Sequence, residues 1–267
     1  MSDLLASMEA TSWRRCRGAT LREALADLKA RALATPAPPG WASSGFDIIA
    51  EIKLRAPSAG SLATLEPSEI ASRAHAYAAA GASAVSILTE PDRFDGQLSH
   101  LAAGAAGLPI PAMRKDFLVD PYQVWEARAN GAGGVLLIAT MLDDQTLRAM
   151  MQAAAEAGLF ALIEAFDAED LRRTALALTD TAAGTWLVGV NTRDLRSLAV
   201  VPDRLARMAE HLPDGVQAVA ESGMATPEDV GRAAALGYRA ALVGTALMQQ
   251  ADPRPLVAAM KAAGASA

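Results

Sequence analysis

Lysine and glutamate side chains recur directly after short apolar segments of this 267-residue chain. Glu51 lies near the end of the first segment and Lys53 directly after it, two residues apart, so they share one face if the segment is a strand. Lys115 follows the third segment, and Glu164 and Glu221 follow two later ones. A lysine and a carboxylate in one pocket can act as acid and base, because burial and neighbouring charges shift their pKa values toward neutral pH. These residue types therefore indicate acid–base catalysis.

Polar residues and glycines follow the last three segments. Asn191 and Arg193 come after the sixth segment, whereas Gly223 and the pair Gly244-Thr245 stand just before predicted helices. Backbone N–H groups at such helix starts bind phosphate. The alternative is that each glycine serves only a tight turn, and the residues by themselves leave both interpretations open.

Eight apolar segments alternate with amphipathic helical patterns, which predicts an α/β chain of the (β/α)8 TIM-barrel class. The segments are rich in Val, Ile and Leu with little polar alternation, as is typical of parallel strands buried on both faces. Eight such strands with right-handed crossovers close most naturally into a barrel, whose active site lies at the carboxyl ends of the strands. A doubly wound open sheet is the alternative, although it usually has fewer strands. The predicted strands are residues 46–52, 84–88, 110–114, 134–139, 160–163, 186–190, 217–220 and 240–243.

Capping residues predict several helix boundaries, and the first 45 residues lie outside the repeat. Pro67 begins a helix that Gly81 ends, and Asp120-Pro121 begins another that Gly131 ends. We expect an N-terminal helical extension, 1–45, with a helix at 20–33 across one barrel end, before a catalytic barrel domain, 46–267. The simplest expectation for the first dozen residues is disorder. We expect Arg14, Arg15 and Arg17 to lie on a helix face that is exposed to solvent.

Composition restricts the class of function. Hydrophobic residues make up 52% of the chain, the net charge is −6, and no basic run suggests a nucleic-acid surface. The single cysteine, Cys16, and three scattered histidines make a disulfide or a zinc site unexpected. We also expect no signal peptide and no membrane span, because charges and prolines interrupt every apolar stretch. A cytoplasmic protein is the resulting expectation.

Seven motifs occur in order along residues 46–255 and strengthen this interpretation. They are Ile49-Ala-Glu-Ile-Lys-Leu-Arg-Ala-Pro-Ser-Ala-Gly60, Ser86-Ile-Leu-Thr-Glu with Phe94-Asp-Gly96, Arg114-Lys-Asp-Phe-Leu-Val-Asp-Pro-Tyr-Gln123, Leu162-Ile-Glu-Ala, Gly189-Val-Asn-Thr-Arg-Asp-Leu195, Ala220-Glu-Ser-Gly223 and Leu242-Val-Gly-Thr. In this order they resemble the indole-3-glycerol-phosphate synthase family. The resemblance implies closure of the indole ring of 1-(2-carboxyphenylamino)-1-deoxyribulose 5-phosphate, with loss of carbon dioxide and water, in tryptophan biosynthesis. It implies no cofactor and no metal.

The resemblance also implies residue roles. Lys115 is the general acid that protonates the ribulose carbonyl, Glu164 serves in proton transfer, and which lysine serves which step stays open. The implied catalytic set is Glu51, Lys53, Lys115, Glu164, Asn191 and Glu221. The implied substrate-binding set is Ser58, Phe117, Arg193, Leu195 and Ser222. The implied phosphate-binding set is Lys53, Gly223, Gly244 and Thr245.

Two departures from the family pattern leave alternatives open. Ala56 stands where the family usually has serine, so one substrate hydrogen bond of about 0.5–1.5 kcal/mol is missing unless water replaces it. Phe166 stands where the family commonly has histidine. A paralogue that acts on a modified anthranilate is one alternative, and a non-catalytic phosphate-binding barrel is another. A phosphoribosylanthranilate isomerase would use a Cys/Asp pair, but Cys16 precedes the barrel.

The expected partner is a phosphorylated small molecule, and the expected state is a monomer or weak homodimer.

Overall fold

Eight parallel strands form a closed barrel in the computed structural model, which describes residues 3–56, 60–181, 183–194 and 198–267. Each strand pairs with its neighbour in sequence and the last pairs with the first, so the predicted barrel is confirmed and the open sheet is excluded. Two antiparallel strands of two residues each, Arg55–Ala56 and Gly60–Ser61, follow the first strand. The barrel strands are β1 Asp47–Ile52, β2 Ala84–Leu88, β3 Ala112–Lys115, β4 Gly134–Ile138, β5 Phe160–Ala165, β6 Trp186–Asn191, β7 Gln217–Glu221 and β8 Ala240–Val243.

Helices surround the barrel and precede it at the N-terminus. None of those in the described ranges is long and apolar enough to cross a bilayer. The helices are α1 Asp3–Arg22, α2 Leu25–Ala34, α3 Pro67–Ala79, α4 Pro91–Phe94, α5 Leu98–Ala105, α6 Pro121–Ala129, α7 Asp144–Ala157, α8 Ala168–Asp180, α9 Arg204–Ala209, α10 Pro227–Ala235, α11 Thr245–Met248 and α12 Arg254–Ala265, with a 3-10 turn at Ala139–Met141.

Side-chain caps set the helix starts that the sequence predicts. The Asp120 carboxylate accepts a hydrogen bond from the Tyr122 N–H at 2.8 Å, and Pro121 occupies the first helical position of α6. Asp143 caps α7 in the same way through the Thr146 N–H at 2.7 Å. Each cap satisfies a backbone donor that has no partner within its helix. The predicted starts of α3 and α6 are confirmed, and α3 ends at Ala79, one residue before its predicted end.

The N-terminal segment is helical from Asp3, so the prediction of a disordered start is wrong. The helix predicted at 20–33 is present as Leu25–Ala34, but it begins five residues later than predicted. One stripe along α1 is buried against the barrel, whereas the rest of the helix faces outward. This spacing of three and four residues is a helical period, and burial of the stripe stabilises α1 where local propensity is weak. The buried stripe consists of Leu5, Met8, Ser12, Cys16 and Ala19.

The N-terminal helices and the chain after them contact the barrel along its side and at its base. The Arg128 guanidinium of α6 donates to two groups of Thr35, the residue just after α2. One is the hydroxyl group, and the other is the carbonyl oxygen at 3.2 Å. At the base, the Trp41 ring lies 5.2 Å from the Phe160 ring, and its Nε1 donates to Gln217 Oε1 at 2.9 Å. The N-terminal helices share one hydrophobic core with the strands. The division into two units at residue 45 stays a prediction.

Asp47, the first residue of β1, is completely buried at the barrel base. Its carboxylate accepts hydrogen bonds from Ser83 Oγ at 2.5 Å, Gln217 Nε2 at 2.6 Å and Ser43 Oγ at 2.7 Å. The Ser44 N–H and hydroxyl donate to it at 3.3 and 3.4 Å. One side chain thus joins β1 to the segment before it, to the residue preceding β2 and to β7.

We expect Asp47→Ala to lower the free energy of unfolding by about 3 kcal/mol, because several buried donors lose their acceptor. Urea denaturation measures the change, and kcat per folded molecule should stay unchanged because Asp47 lies at the end of the barrel opposite the polar strand ends. Asp252→Ala, at an exposed carboxylate, is the control and should change the stability much less. An Asp47→Ala protein as stable as the wild type would contradict this role.

Candidate active site

One interior layer of the barrel consists entirely of ionisable side chains. It contains Glu51 of β1, Lys115 of β3, Glu164 of β5 and Glu221 of β7, one from each alternate strand. From one of these strands to the next, the ionisable residue is shifted two positions toward the carboxyl end relative to the strand register. For example, Glu51 is in register with Ser86 and Ser86 with Met113, and Lys115 lies two residues beyond Met113. Tilted strands of an eight-stranded barrel require this offset for side chains at one height. Strand register therefore brings the three carboxyl groups and the ammonium group together.

Short distances separate the charged groups within this layer, and an ion pair joins the layer to Lys53. Lys115 Nζ lies 3.3 Å from Glu164 Oε2 and 3.9 Å from Glu221 Oε2, and Lys53 Nζ lies 2.7 Å from Glu51 Oε1. The three glutamates are at most 2% exposed. Burying charges is costly unless they pair, and here three carboxyl groups face two ammonium groups. One carboxyl group is therefore without a matching ammonium group.

The pKa shifts within the layer differ in direction. Burial disfavours the charged form of Lys115, but the carboxylates of Glu164, Glu221 and Glu51 outweigh it and raise the lysine pKa. Burial also opposes ionisation of Glu51, yet Lys53 and Lys115 hold the pKa of Glu51 below its usual value. Burial and the neighbouring Glu164 raise the pKa of Glu221 well above its usual value. The site thus presents an ammonium donor, an ionised carboxylate and a carboxyl group that retains its proton.

The surroundings of Glu221 favour a proton on its carboxyl group. Neither Glu221 oxygen has a hydrogen-bond donor among the described residues, although the carboxyl group of Glu164 is its neighbour. Two carboxylates cannot hydrogen-bond to each other, but a protonated carboxyl group donates to an ionised one. Burial beside other carboxyl groups thus favours the protonated form of Glu221, which then has a hydrogen to donate.

We expect Glu221→Gln to become increasingly stabilising, relative to the wild type, as the pH rises above about 5. In the unfolded chain Glu221 loses its proton near 4.5, whereas in the folded protein it retains the proton to higher pH. The folded state then binds more protons in that window, so wild-type stability falls as the pH rises, and an uncharged glutamine removes this contribution. Urea denaturation of both proteins at several pH values measures the difference in unfolding free energy. A difference that does not change with pH would contradict the raised pKa.

Two glycines leave space for the carboxylates. A Cβ atom on Gly189 of β6 would lie 1.9 Å from Glu221 Oε1. A Cβ atom on Gly244, just after β8, would lie 2.3 Å from Glu51 Oε1 and 2.8 Å from Lys53 Nζ. A side chain at either position would therefore displace the carboxyl group that it meets. Sequence reasoning missed Gly189, although a glycine inside an apolar strand is a signal of close approach.

A cavity of about 330 Å³ opens above the ionisable layer. Every predicted site residue that the structure describes lines it, whereas Ser58 and Leu195 lie outside the described residues. The predicted residues in its wall are Glu51, Lys53, Lys115, Phe117, Glu164, Asn191, Arg193, Glu221, Ser222, Gly223, Gly244 and Thr245. The wall residues that sequence reasoning missed include Leu88, Phe94, Leu136, Ile138, Met224 and Gln249.

The amide of Asn191 is oriented by the backbone that follows it. The Arg193 N–H donates to Asn191 Oδ1 at 2.9 Å, so the Nδ2 group remains as a donor for a ligand in the cavity. The Arg193 guanidinium donates to the Leu198 carbonyl at 2.6 Å, and Arg204 donates to the Asn191 carbonyl at 2.9 Å. These bonds hold the residues after β6 against the cavity rim.

An aromatic pair forms the opposite wall, and α1 supports it. The rings of Phe94 and Phe117 lie 6.1 Å apart, and both line the cavity. The Glu90 carboxylate caps the short helix that carries Phe94, and Asp116 accepts the Phe117 N–H at 2.8 Å. Arg15 bonds to both carboxylates, at 3.3 Å to Glu90 and 2.6 Å to Asp116. The prediction of a solvated face is therefore wrong for Arg15.

Neither a metal cluster nor a cysteine pair contributes to the part of the site that the structure describes. In the described ranges, no group of three or more His, Cys, Asp or Glu side chains could hold a metal ion. Cys16 is buried in α1 and is not among the residues that line the cavity. The Cys/Asp acid–base pair of the isomerase alternative therefore has no support here.

Comparisons with known proteins show the family of this chain. The family model described as indole-3-glycerol phosphate synthase matches residues 32–260. The chain is 46% identical over 242 residues to an indole-3-glycerol phosphate synthase of Nocardioides sp., which covers 88% of this chain and 89% of that protein. It is 43% identical over 253 residues to the one from Arthrobacter sp., covering 91% and 90%. The chain belongs to the indole-3-glycerol phosphate synthase family.

Membership of the indole-3-glycerol phosphate synthase family confirms the resemblance and the predicted enzyme class, a decarboxylating lyase of tryptophan biosynthesis that acts on a phosphorylated substrate. A solved structure, 3-hexulose-6-phosphate synthase from Salmonella typhimurium, superposes with a TM-score of 0.63 at 16% identity and covers 81% of this chain and 97% of that one. At that identity the likeness concerns the fold alone. The family match and the barrel thus agree on one architecture.

Proposed function

We propose that this chain closes the indole ring of 1-(2-carboxyphenylamino)-1-deoxyribulose 5-phosphate with loss of carbon dioxide and water. The observation that carries the proposal is the layer in which Lys115 stays protonated among Glu51, Glu164 and Glu221, beneath a partly apolar cavity. Ring closure needs an acid at the ribulose carbonyl and a group that takes up and returns protons. The layer supplies both.

Lys115 is the acid for the first bond. As the carboxylate-bearing ring carbon attacks the ribulose carbonyl, the ammonium group transfers a proton to the carbonyl oxygen and stabilises its developing charge. Loss of carbon dioxide then restores the ring electrons. The new hydroxyl group leaves as water after protonation by Lys115 or Lys53, and the ionised carboxylate of Glu51 takes up the proton that the adjacent ring carbon releases as the double bond forms. Glu164, 3.3 Å from Lys115, exchanges protons with it between these steps.

The two ends of the cavity suit the two ends of the substrate. Phe117 packs against the anthranilate ring, opposite the charged layer. Gly223, Gly244 and Thr245 receive the phosphate with their backbone N–H groups, and Lys53 adds a positive charge. Asn191 donates to substrate oxygens through Nδ2, and Arg193 supports the site electrostatically. Ser58 and Leu195 keep their proposed substrate contacts as predictions.

The test is turnover of the carboxyphenylamino substrate by the purified protein. Indole fluorescence reports the product, and carbon dioxide release should match it one to one. A protein that unfolds cooperatively yet forms no indole product would overturn the proposal.

The paralogue alternative has one observation in its favour, the buried Ala56, which lies three residues after Lys53 in the chain. Ring-substituted anthranilate derivatives in the same assay test it: a higher kcat/KM for one of them than for the unsubstituted substrate would favour the paralogue. We further propose that the protein acts in the cytoplasm as a monomer or weak homodimer, without nucleic acid or membrane partners. Sedimentation at several protein concentrations tests the oligomeric state.

A further inference from the structure

Two buried polar atoms on adjacent strands lack hydrogen-bond partners among the described residues. They are Ser86 Oγ of β2 and Glu51 Oε2 of β1. Ser86 and Glu51 are direct register partners, so both side chains leave the sheet on its interior face. Neighbouring strands lie about 4.8 Å apart, which places the two groups within reach of one shared water molecule.

Ser86 has few other groups to bond to. It lies in the interior layer just below the ionisable one, where the alternate strands contribute Leu136, Gly189 and Leu242. None of these three has a polar side chain. A buried hydroxyl group without a partner is costly, and buried water commonly satisfies such groups when two or more polar partners converge.

The other oxygen of Glu51 already has its partner. Lys53 Nζ lies 2.7 Å from Oε1, on the side where Gly244 leaves space. A donor at Oε2 would complete the hydrogen bonding of the carboxylate and fix both of its oxygens. Ser86 is placed to provide that donor from below.

We propose that Ser86 is a positioning residue for Glu51: its hydroxyl group donates to one buried water molecule, which donates to Glu51 Oε2. The water keeps the carboxylate ionised and oriented for ring closure. The inference rests on the proposed function, because Glu51 acts in that reaction.

Other charged groups also face Glu51 and set the background for this effect. Lys53 lies on the same strand, Lys115 on β3 and Arg193 after β6, and all three favour the carboxylate. Glu221 of β7 repels it, and the phenol of Tyr77 on α3 is its neighbour from outside the sheet. Removing one neutral donor leaves these charges in place, so the pKa of Glu51 should rise only by the contribution of that donor.

The experiment is the kinetics of Ser86→Ala with the carboxyphenylamino substrate over a range of pH. We expect kcat to fall about tenfold with KM within about twofold, because a hydrogen bond to a charged group is lost while the cavity wall is unchanged. The acidic limb of kcat against pH should move to higher pH, because Glu51 ionises less readily. Ser83→Ala, whose hydroxyl group bonds to Asp47 at the base, is the matched control and should lower stability without moving that limb.

Two results would overturn the inference. One is a Ser86→Ala protein with the kcat and the pH profile of the wild type. A raised melting temperature of the same variant would add to this, because it would show that the buried hydroxyl group has no hydrogen-bond partner in the wild type. The other is a high-resolution crystal structure of the wild type without a water molecule between Ser86 Oγ and Glu51 Oε2, a result that does not depend on the variant folding. An inactive wild type would instead overturn the proposed function, while the crystal structure would still test the water.

Discussion

Lys115→Ala should lower kcat at least about 10²-fold, as expected for the loss of a general acid, with a smaller effect on KM. The ammonium group lies 3.3 Å from Glu164 and 3.9 Å from Glu221 in a layer that holds its pKa high. Its removal takes away the proton donor and also leaves the buried carboxylates short of one cation. The pKa values of Glu51 and Glu221, which the charge of Lys115 lowers, should then rise.

Steady-state kinetics with the carboxyphenylamino substrate measures this effect, with circular dichroism to establish that the variant is folded. Lys261→Ala is the control, because Lys261 bonds to Ser44 Oγ and the Gly81 carbonyl at the barrel base. We expect it to retain wild-type kcat and to lose some stability. Near-normal turnover of Lys115→Ala would remove Lys115 from the proposed role.

Gly189→Ala should lower kcat/KM by at least about tenfold while changing stability much less. The added methyl group would lie 1.9 Å from Glu221 Oε1 and 3.2 Å from Leu162 Cδ1. The carboxyl group, at the end of a flexible side chain, can move away and spare the backbone. That movement separates Glu221 from Glu164 and Lys115, and a small displacement of a catalytic group is costly in rate.

Gly231→Ala is the matched control for this substitution. Gly231 lies inside α10, and an added Cβ would meet nothing closer than the Ala263 carbonyl at 3.8 Å. Alanine favours the helix, so this variant should gain about 0.5–1 kcal/mol of stability with unchanged kinetics. Wild-type kcat/KM for Gly189→Ala would show that the position of Glu221 is unimportant for turnover.

The elements of the barrel could be predicted because their signals are local. The bounds of β2 and β8 agree with the predicted segments, and Asp120-Pro121 begins α6 as its capping chemistry indicates. The polar residues after the strands could be placed at one mouth because parallel strands align their carboxyl ends. Glu51 and Lys53 share a face for the same local reason, the two-residue period of a strand.

The N-terminal helix and its arginine could not be predicted in the same way. The buried residues of α1 recur at a helical spacing, but only the barrel surface explains their burial. Arg15 bonds to Glu90 and Asp116, 75 and 101 residues away. Nothing near Arg15 in the chain distinguishes it from Arg14 or Arg17, so its partners depend on tertiary packing.

The residue pattern alone predicts the strand segments, the residue types at their ends and acid–base catalysis, and the ordered motifs add the family and its reaction. Only the closed barrel decided which of these groups meet and which of them holds a proton. Lys115 is an ordinary lysine and Glu221 an ordinary glutamate in the unfolded chain. They acquire opposite roles because register places Glu51, Glu164 and Glu221 in one buried layer around a single ammonium group, where water cannot screen their charges.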